Sequence, residues 1–157
     1  MLQLCYASRR VESGNDLLQD LSEILATARQ FNSEQYIVGV LYYAEGYFFQ
    51  CLEGRTEVVE ALFNRILLEP RHERIYRFPD RIIQQAHFAE WSMKYVQKHS
   101  EIASLFQKNG FAHFRPDQLN DEQLQDMLRI LFRVEENQTE LMSPKTGYKQ
   151  RGYVPYF

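Results

Sequence analysis

Residues 36–52 constrain the fold more than any other part of the chain. Residues 36–43 form an apolar run rich in aromatic and branched side chains, which reads as a strand. Ala44-Glu45-Gly46 is a tight turn, and residues 47–52 pair back as the second arm of a hairpin, stopped by Gly54. A hairpin here commits the chain to a sheet, and the flanking segments must supply the remaining strands and their cover.

The first of these, residues 2–7, is short and apolar and reads as a strand. Ser13-Gly14-Asn15-Asp16 follows, with Ser13 or Asn15 as the expected N-cap of a helix. That helix carries Leu17, Leu21, Ile24, Leu25 and Ala28 at helical spacing and is expected to end near Phe31-Asn32. After the hairpin, Thr56 is read as the cap of a second helix with Val59, Leu62, Phe63 and Ile66 on one face. Pro70 lies just beyond it. Residues 75–84 read as a strand interrupted at Pro79, and residues 91–96 as a short last strand. The order β-α-β-β-α-β-β describes an α+β, ferredoxin-like sheet with two helices packed on one face.

Side chains alternate along a strand. Leu4, Tyr6 and Ser8 therefore share one face, with Cys5 on the other. Phe48, Gln50 and Leu52 share a face, with Cys51 opposite, and Trp91 and Met93 are expected to share one too. Two helices cover one side of such a sheet. The other side is left to residues 100–108, with Ile102, Leu105 and Phe106, and to a longer helix opened by an Asn120/Gln123 capping box and bearing Leu124, Met127, Leu128 and Leu131. Residues 143–157 differ from the rest, with two glycines, two prolines and a charge of +3 against −6 for the body. They read as a flexible or partner-docked tail.

Composition narrows the function. A net charge of −3 over 157 residues argues against a nucleic-acid surface. Two cysteines are too few for a disulfide framework or a zinc site. No apolar stretch approaches the ~20 residues that span a bilayer, and the N-terminus lacks a signal-peptide pattern, so a reducing cytoplasm is the default. There is no glycine-rich phosphate loop and no GxSxG, and His72, His87, His99 and His113 lack metal-ligand spacing. Capping or surface roles suit them better; Arg71 and His72 can complement the end of the second helix. Taken singly, Tyr6, Gln50 and Trp91 are ordinary core or strand-end residues.

Together, and in order, the segments resemble the BLUF family, the sensors of blue light using FAD. The matching pieces are Leu4-Cys5-Tyr6-Ala7-Ser8-Arg9, residues 20–28, Asn32, Ile37-Val38-Gly39-Val40-Leu41, Phe49-Gln50-Cys51-Leu52-Glu53-Gly54, Arg65-Ile66, Pro70-Arg71-His72 and Trp91-Ser92-Met93. The aromatic end Gly152-Tyr153-Val154-Pro155-Tyr156-Phe157 is similar to that of the short stand-alone type called blue-light-sensing protein A. The resemblance implies a flavin-binding domain over residues 1–97, a helical extension over 98–142 and the tail over 143–157. It places the two main helices on the flavin face and the C-terminal helices opposite.

The resemblance also implies roles. FAD is held noncovalently, with Ile24 and Ile66 sandwiching the ring, Asn32 at its polar edge and Arg65 toward the phosphates. Ser8, Gln50 and His72 complete the binding set. Tyr6, Gln50, Met93 and Trp91 form the photoactive group. Tyr6 gives an electron and a proton, and Gln50 rearranges its hydrogen bonds. Output then passes through the C-terminal region to a protein partner such as a transcription regulator, with no nucleic acid or membrane contacted directly. The chain is read as a sensor and not an enzyme. Two departures stand out: Phe31 where the family has a polar residue, and Ile37-Val38-Gly39 where it has Ile-Thr-Gly. A flavoenzyme and a flavin-free ferredoxin-like module remain the competing readings. Colour separates the module from the other two, and turnover with NADH separates enzyme from sensor.

Overall fold

The computed structural model describes residues 1–12 and 14–137; the expected tail and the candidate cap Ser13 lie outside them. The elements run β1 (Leu2–Arg10), α1 (Leu17–Gln35), β2 (Val38–Ala44), β3 (Tyr47–Gly54), α2 (Thr56–Ile66), β4 (His72–Arg77), β5 (Arg81–Ile82), β6 (Lys94–Gln97), α3 (Ser100–Lys108) and α4 (Asp121–Arg133). The strands order as β4-β1-β3-β2-β6, with the two-residue β5 continuing alongside β1 beyond β4. All pairings are antiparallel except β2 with β6. This is the ferredoxin-like α+β sheet, β4-β1-β3-β2, extended by β6 beside β2 and by the short β5 beside β1, six strands in all among the described residues.

The hairpin forms where its residues demand it. Glu45 and Gly46 both take positive φ, at 49° and 84°, the twist that joins two right-handed strands through a two-residue turn. Within β2 the chain leaves no room at Gly39. A Cβ there would stand 2.1 Å from the Cys51 carbonyl oxygen of β3, so any larger residue would pry the two strands apart.

Two cores flank the sheet. Leu4, Tyr6, Leu41, Phe48 and Leu52 pack with Leu21, Ile24 and Leu25 of α1 and Val59, Leu62 and Ile66 of α2. Cys5, Ala7, Val40, Tyr42, Phe49 and Cys51 pack with Ile102 and Phe106 of α3 and Met127 and Leu131 of α4. The parity of β1 and β3 is therefore as expected, and so is the capping box of α4, with Asn120 and Gln123 bonded reciprocally.

Four local expectations are corrected. The N-cap of α1 is Asp16 and not Asn15; its Oδ1 accepts from the Gln19 amide at 2.8 Å. Helix α1 does not end at Asn32 but continues one turn to a left-handed cap at Tyr36, and the Asn32 carbonyl accepts from the Tyr36 and Ile37 amides. The cap of α2 is Arg55, with extended backbone; Thr56 is already helical. The last strand starts at Lys94 and not Trp91. Residues 91–93 precede the ladder with β2, Trp91 closing a turn onto the Phe88 carbonyl at 3.0 Å. Alternation does not govern them, so Trp91 and Met93 fall on opposite sides of the sheet.

Candidate functional site

The register of β1 and β3 sets Tyr6 directly across from Gln50. Both are buried on the α1–α2 face. The Tyr6 hydroxyl donates to Gln50 Oε1 at 2.5 Å, and Gln50 Nε2 points at Met93 Sδ, 3.7 Å away. One side chain thus accepts from a phenol through its carbonyl and meets a thioether through its amide. Burial, joined by the negative charge of Glu69, pushes the Tyr6 phenol well above its usual value. Tyr6 is neutral at physiological pH and holds its proton toward Gln50.

Asn32 enters from α1. Its Nδ2 donates to the Ser92 carbonyl at 2.8 Å, which leaves Oδ1 buried and without a partner among the described residues. An unmet buried acceptor is costly, and an imide N–H such as that of a flavin ring would meet it. Ile24 and Ile66, both fully buried, bring apolar side chains from α1 and α2 to the same core. These residues fit the polar edge and the two flat faces of the ring that the family resemblance implies.

The lower part of the site is anchored by His72. Its Nε2 lies 2.8 Å from the Ile66 carbonyl at the end of α2, and its Nδ1 lies 2.8 Å from Ser8 Oγ. A carbonyl can only accept, so Nε2 carries the proton and Nδ1 takes the Ser8 hydroxyl hydrogen. Burial lowers the His72 pKa, which favours this neutral ring. The expected service of His72 to the helix terminus is thus a direct hydrogen bond, and Ser8 is oriented by it. Arg71 instead forms ion pairs with Glu69 and Glu23. Arg65 lies with its guanidinium over the Phe31 ring, 5.3 Å from the centroid, so the apolar residue that departs from the family pattern becomes a platform for the expected phosphate ligand.

The structure brings Tyr6, Ser8, Ile24, Asn32, Gln50, Ile66, His72 and Met93 to one face of the sheet. Trp91 is not among them. It packs on the other side against Phe88 at 6.3 Å and Phe132 at 6.2 Å, and the buried Lys94 ammonium sits 4.3 Å over its ring. Lys94 also donates to the Phe132 carbonyl at the end of α4.

One residue was missed from sequence. Arg29 donates Nε to the Met93 carbonyl at 3.0 Å and an amino group to Glu136 at 2.7 Å. The available signal was its position one turn before Asn32 on a helix that continues past both. Among the described residues no cluster of histidine, cysteine, aspartate and glutamate could hold a metal, and no helix is long and apolar enough to cross a membrane.

A family model, BLUF, described as sensors of blue-light using FAD, matches residues 1–94. Among solved structures, the ground state of BlsA superposes with a TM-score of 0.88 at 44% identity, covering 96% of this chain and 99% of that one. The photo-activated state of BlsA gives 0.85 at 46% identity, covering 88% and 99%. The photoactivated adenylate cyclase subunit alpha of Euglena gracilis is 31% identical over 108 residues, 66% of this chain. The match spans 11% of that relative's length, about a tenth.

Proposed function

Since the chain belongs to the BLUF family, blue-light sensors that use FAD, we propose that it is a photoreceptor switched by the Tyr6–Gln50 pair and read out by a protein partner. The observation that carries this reading is the buried 2.5 Å bond from the Tyr6 hydroxyl to Gln50, with Met93 on the far side of the amide. Bound FAD supplies the absorption of blue light and, once excited, an acceptor for one electron and one proton. Tyr6 is the donor. Tyr6 starts as the protonated phenol; removing an electron makes its hydroxyl strongly acidic, so the proton follows the electron, and both return to the phenol afterwards.

Gln50 keeps the record of the event. Its amide has a donor end and an acceptor end. While Tyr6 is without its proton, the bond that holds Oε1 is gone, and the side chain is free to rotate or tautomerise. When Tyr6 recovers its proton, Gln50 faces its neighbours with a changed pattern. A hydrogen bond gained or lost in a buried network is worth about 1–3 kcal/mol, enough to tilt a two-state element several-fold. Asn32, Ser8, His72, Ile24, Ile66 and Arg65 hold the cofactor, and His72 fixes the tautomer that orients Ser8.

Output is assigned to residues 98–142, with residues 1–97 as the sensing unit. The route is physical. Met93 lies on the Gln50 side and Lys94, next in chain, bonds the end of α4. BlsA, whose ground state is similar to 96% of this chain, also has a photo-activated state, which supports the light-switched reading; action on a separate partner in the cytoplasm is part of the same proposal.

The test is spectroscopic. The purified chain is expected to be yellow, to shift slightly to the red under blue light and to recover in darkness. Tyr6→Phe is expected to retain FAD and lose the shift, because the ring remains and the transferable proton does not. A chain that stays colourless after incubation with FAD would refute the reading.

A further inference from the structure

On the sheet face away from Tyr6 and Gln50, an open groove of about 870 Å³ runs between residues 85–88 and α4. Its floor is aromatic. Phe88 meets Phe132 at 6.1 Å, yet Phe132 remains 52% exposed. Two polar atoms of the lining lack partners. Gln3 is 4% exposed and donates its amide to Glu53, leaving Oε1 buried and unbonded among the described residues. Gln125 Nε2 on α4 is likewise buried and unbonded. Leaving such groups unmet is unfavourable. Rotation of these two buried amides would bring one acceptor and one donor to the groove, which together complement a peptide group with its one N–H and one C=O.

Charge selects the sequence of that peptide. Among the described residues, the lining carries the cations Arg129 and Arg133 and no carboxylate. Their pairs with Asp126 and Glu101 are exposed to solvent and exchange at little cost. We infer that this groove is the docking site for an acidic, extended segment of a partner protein, with an apolar side chain seated on Phe88 and Phe132. The inference rests on the reading above that the signal leaves through the C-terminal helices. It gives that signal a short route. Phe132 is bonded through its carbonyl to Lys94, adjacent to Met93. The chain's own residues 143–157 are the competing occupant, but with three basic and no acidic side chains they bring like charge to Arg129 and Arg133.

The experiment uses the full chain loaded with FAD. A fluorescein-labelled peptide of four glutamates around two phenylalanines is titrated by anisotropy, beside the same peptide with lysines. The glutamate peptide is expected to bind at least tenfold more tightly. Its affinity should change at least threefold between darkness and blue light. The double variant Arg129→Glu, Arg133→Glu should lose at least tenfold, and Phe132→Ala should weaken binding as well. The double variant changes only exposed side chains, so it keeps the test valid if Phe132→Ala misfolds. Equal affinity for the two peptides, indifference to charge reversal, or equal affinity in dark and light would overturn the docking site. Binding that appears only after truncation behind Met142 would also overturn it, in favour of the chain's own tail. The red shift is recorded on the same samples. Its loss in the parent chain counts against the photoreceptor reading, whereas a normal shift without peptide discrimination counts against the groove alone.

Discussion

Gln50 and Glu53 lie three residues apart on β3 and point to opposite faces of the sheet, and their surroundings are opposite in kind. Gln50 has one strong partner, Tyr6, and a sulfur atom, Met93, a weak acceptor. Beside it Asn32 keeps an unmet acceptor. Glu53 is fully buried, and its two oxygens take four donors: the His87 and Phe88 amides at 2.7 and 2.9 Å, the Gln3 amide at 2.8 Å and the His87 ring at 2.9 Å. A side chain with unmet capacity can change partners at small cost; a saturated carboxylate cannot move without stranding several donors. One face of the strand leaves hydrogen-bonding capacity open at Gln50, and the other ties down the 87–88 turn through Glu53.

That contrast can be broken most completely at Gln50. Gln50→Leu keeps the shape and deletes the amide, and is expected to abolish the red-shifted state while FAD stays bound, as read from absorption spectra before and after illumination. Next in size is Glu53→Ala. It leaves buried donors unpaired and is expected to cost about 3 kcal/mol. Calorimetry should show a fall in Tm of roughly 6–12 °C for a chain of this length, with the light-induced shift intact in whatever protein remains folded. A lost shift in folded Glu53→Ala protein would dissolve the division between the faces. Asn32→Ala is milder. Removing one amide at the polar edge should weaken FAD binding about tenfold, or about 1.4 kcal/mol, measured as retention through gel filtration, with the photocycle of the bound fraction preserved.

The smallest effect is expected on the saturated side. Cys5 and Cys51 are register partners, both buried, and burial followed by the contact with Cys5 raises the Cys51 thiol well above its usual range. Inert thiols under α3 and α4 should be dispensable for light sensing. The double change Cys5→Ala, Cys51→Ala should leave recovery kinetics unaltered while lowering Tm by a few degrees; altered kinetics would mean that this face takes part in the switch.

Much of this was legible in the sequence, because alternation along β1 and β3 decides which residues meet. Tyr6 and Gln50 follow from parity, and Asn120 with Gln123 announces α4 by its own chemistry. The misses share a cause: tertiary partners that no local pattern encodes. Trp91 sits where hydrophobicity continues but strand pairing has not begun, so parity misplaced it. Asn32 resembles a helix terminus, yet the helix runs on because its carbonyl finds two amides beyond it. Glu53 was visible as part of a motif, but two of its donors are backbone amides of a turn more than thirty residues away. Arg29 had no motif to mark it.

The segment that leaves α4 has a further bearing, on how the molecule behaves in company. β6 is the last strand of its sheet, and a bare strand edge is a template for pairing with other chains. Here the Asn137 amide bonds the Tyr95 carbonyl at 2.8 Å, Asn137 Oδ1 accepts from Gln97, and Glu136 accepts from the Tyr95 amide. The outward amide and carbonyl of Tyr95 and the amide of Gln97 are therefore occupied by the chain itself. Arg29 clamps Glu136 to the Met93 carbonyl. The guard on this margin is thus fastened through Arg29 to Met93, whose sulfur faces Gln50, so the cover of the sheet edge and the backbone at Met93 share one clamp.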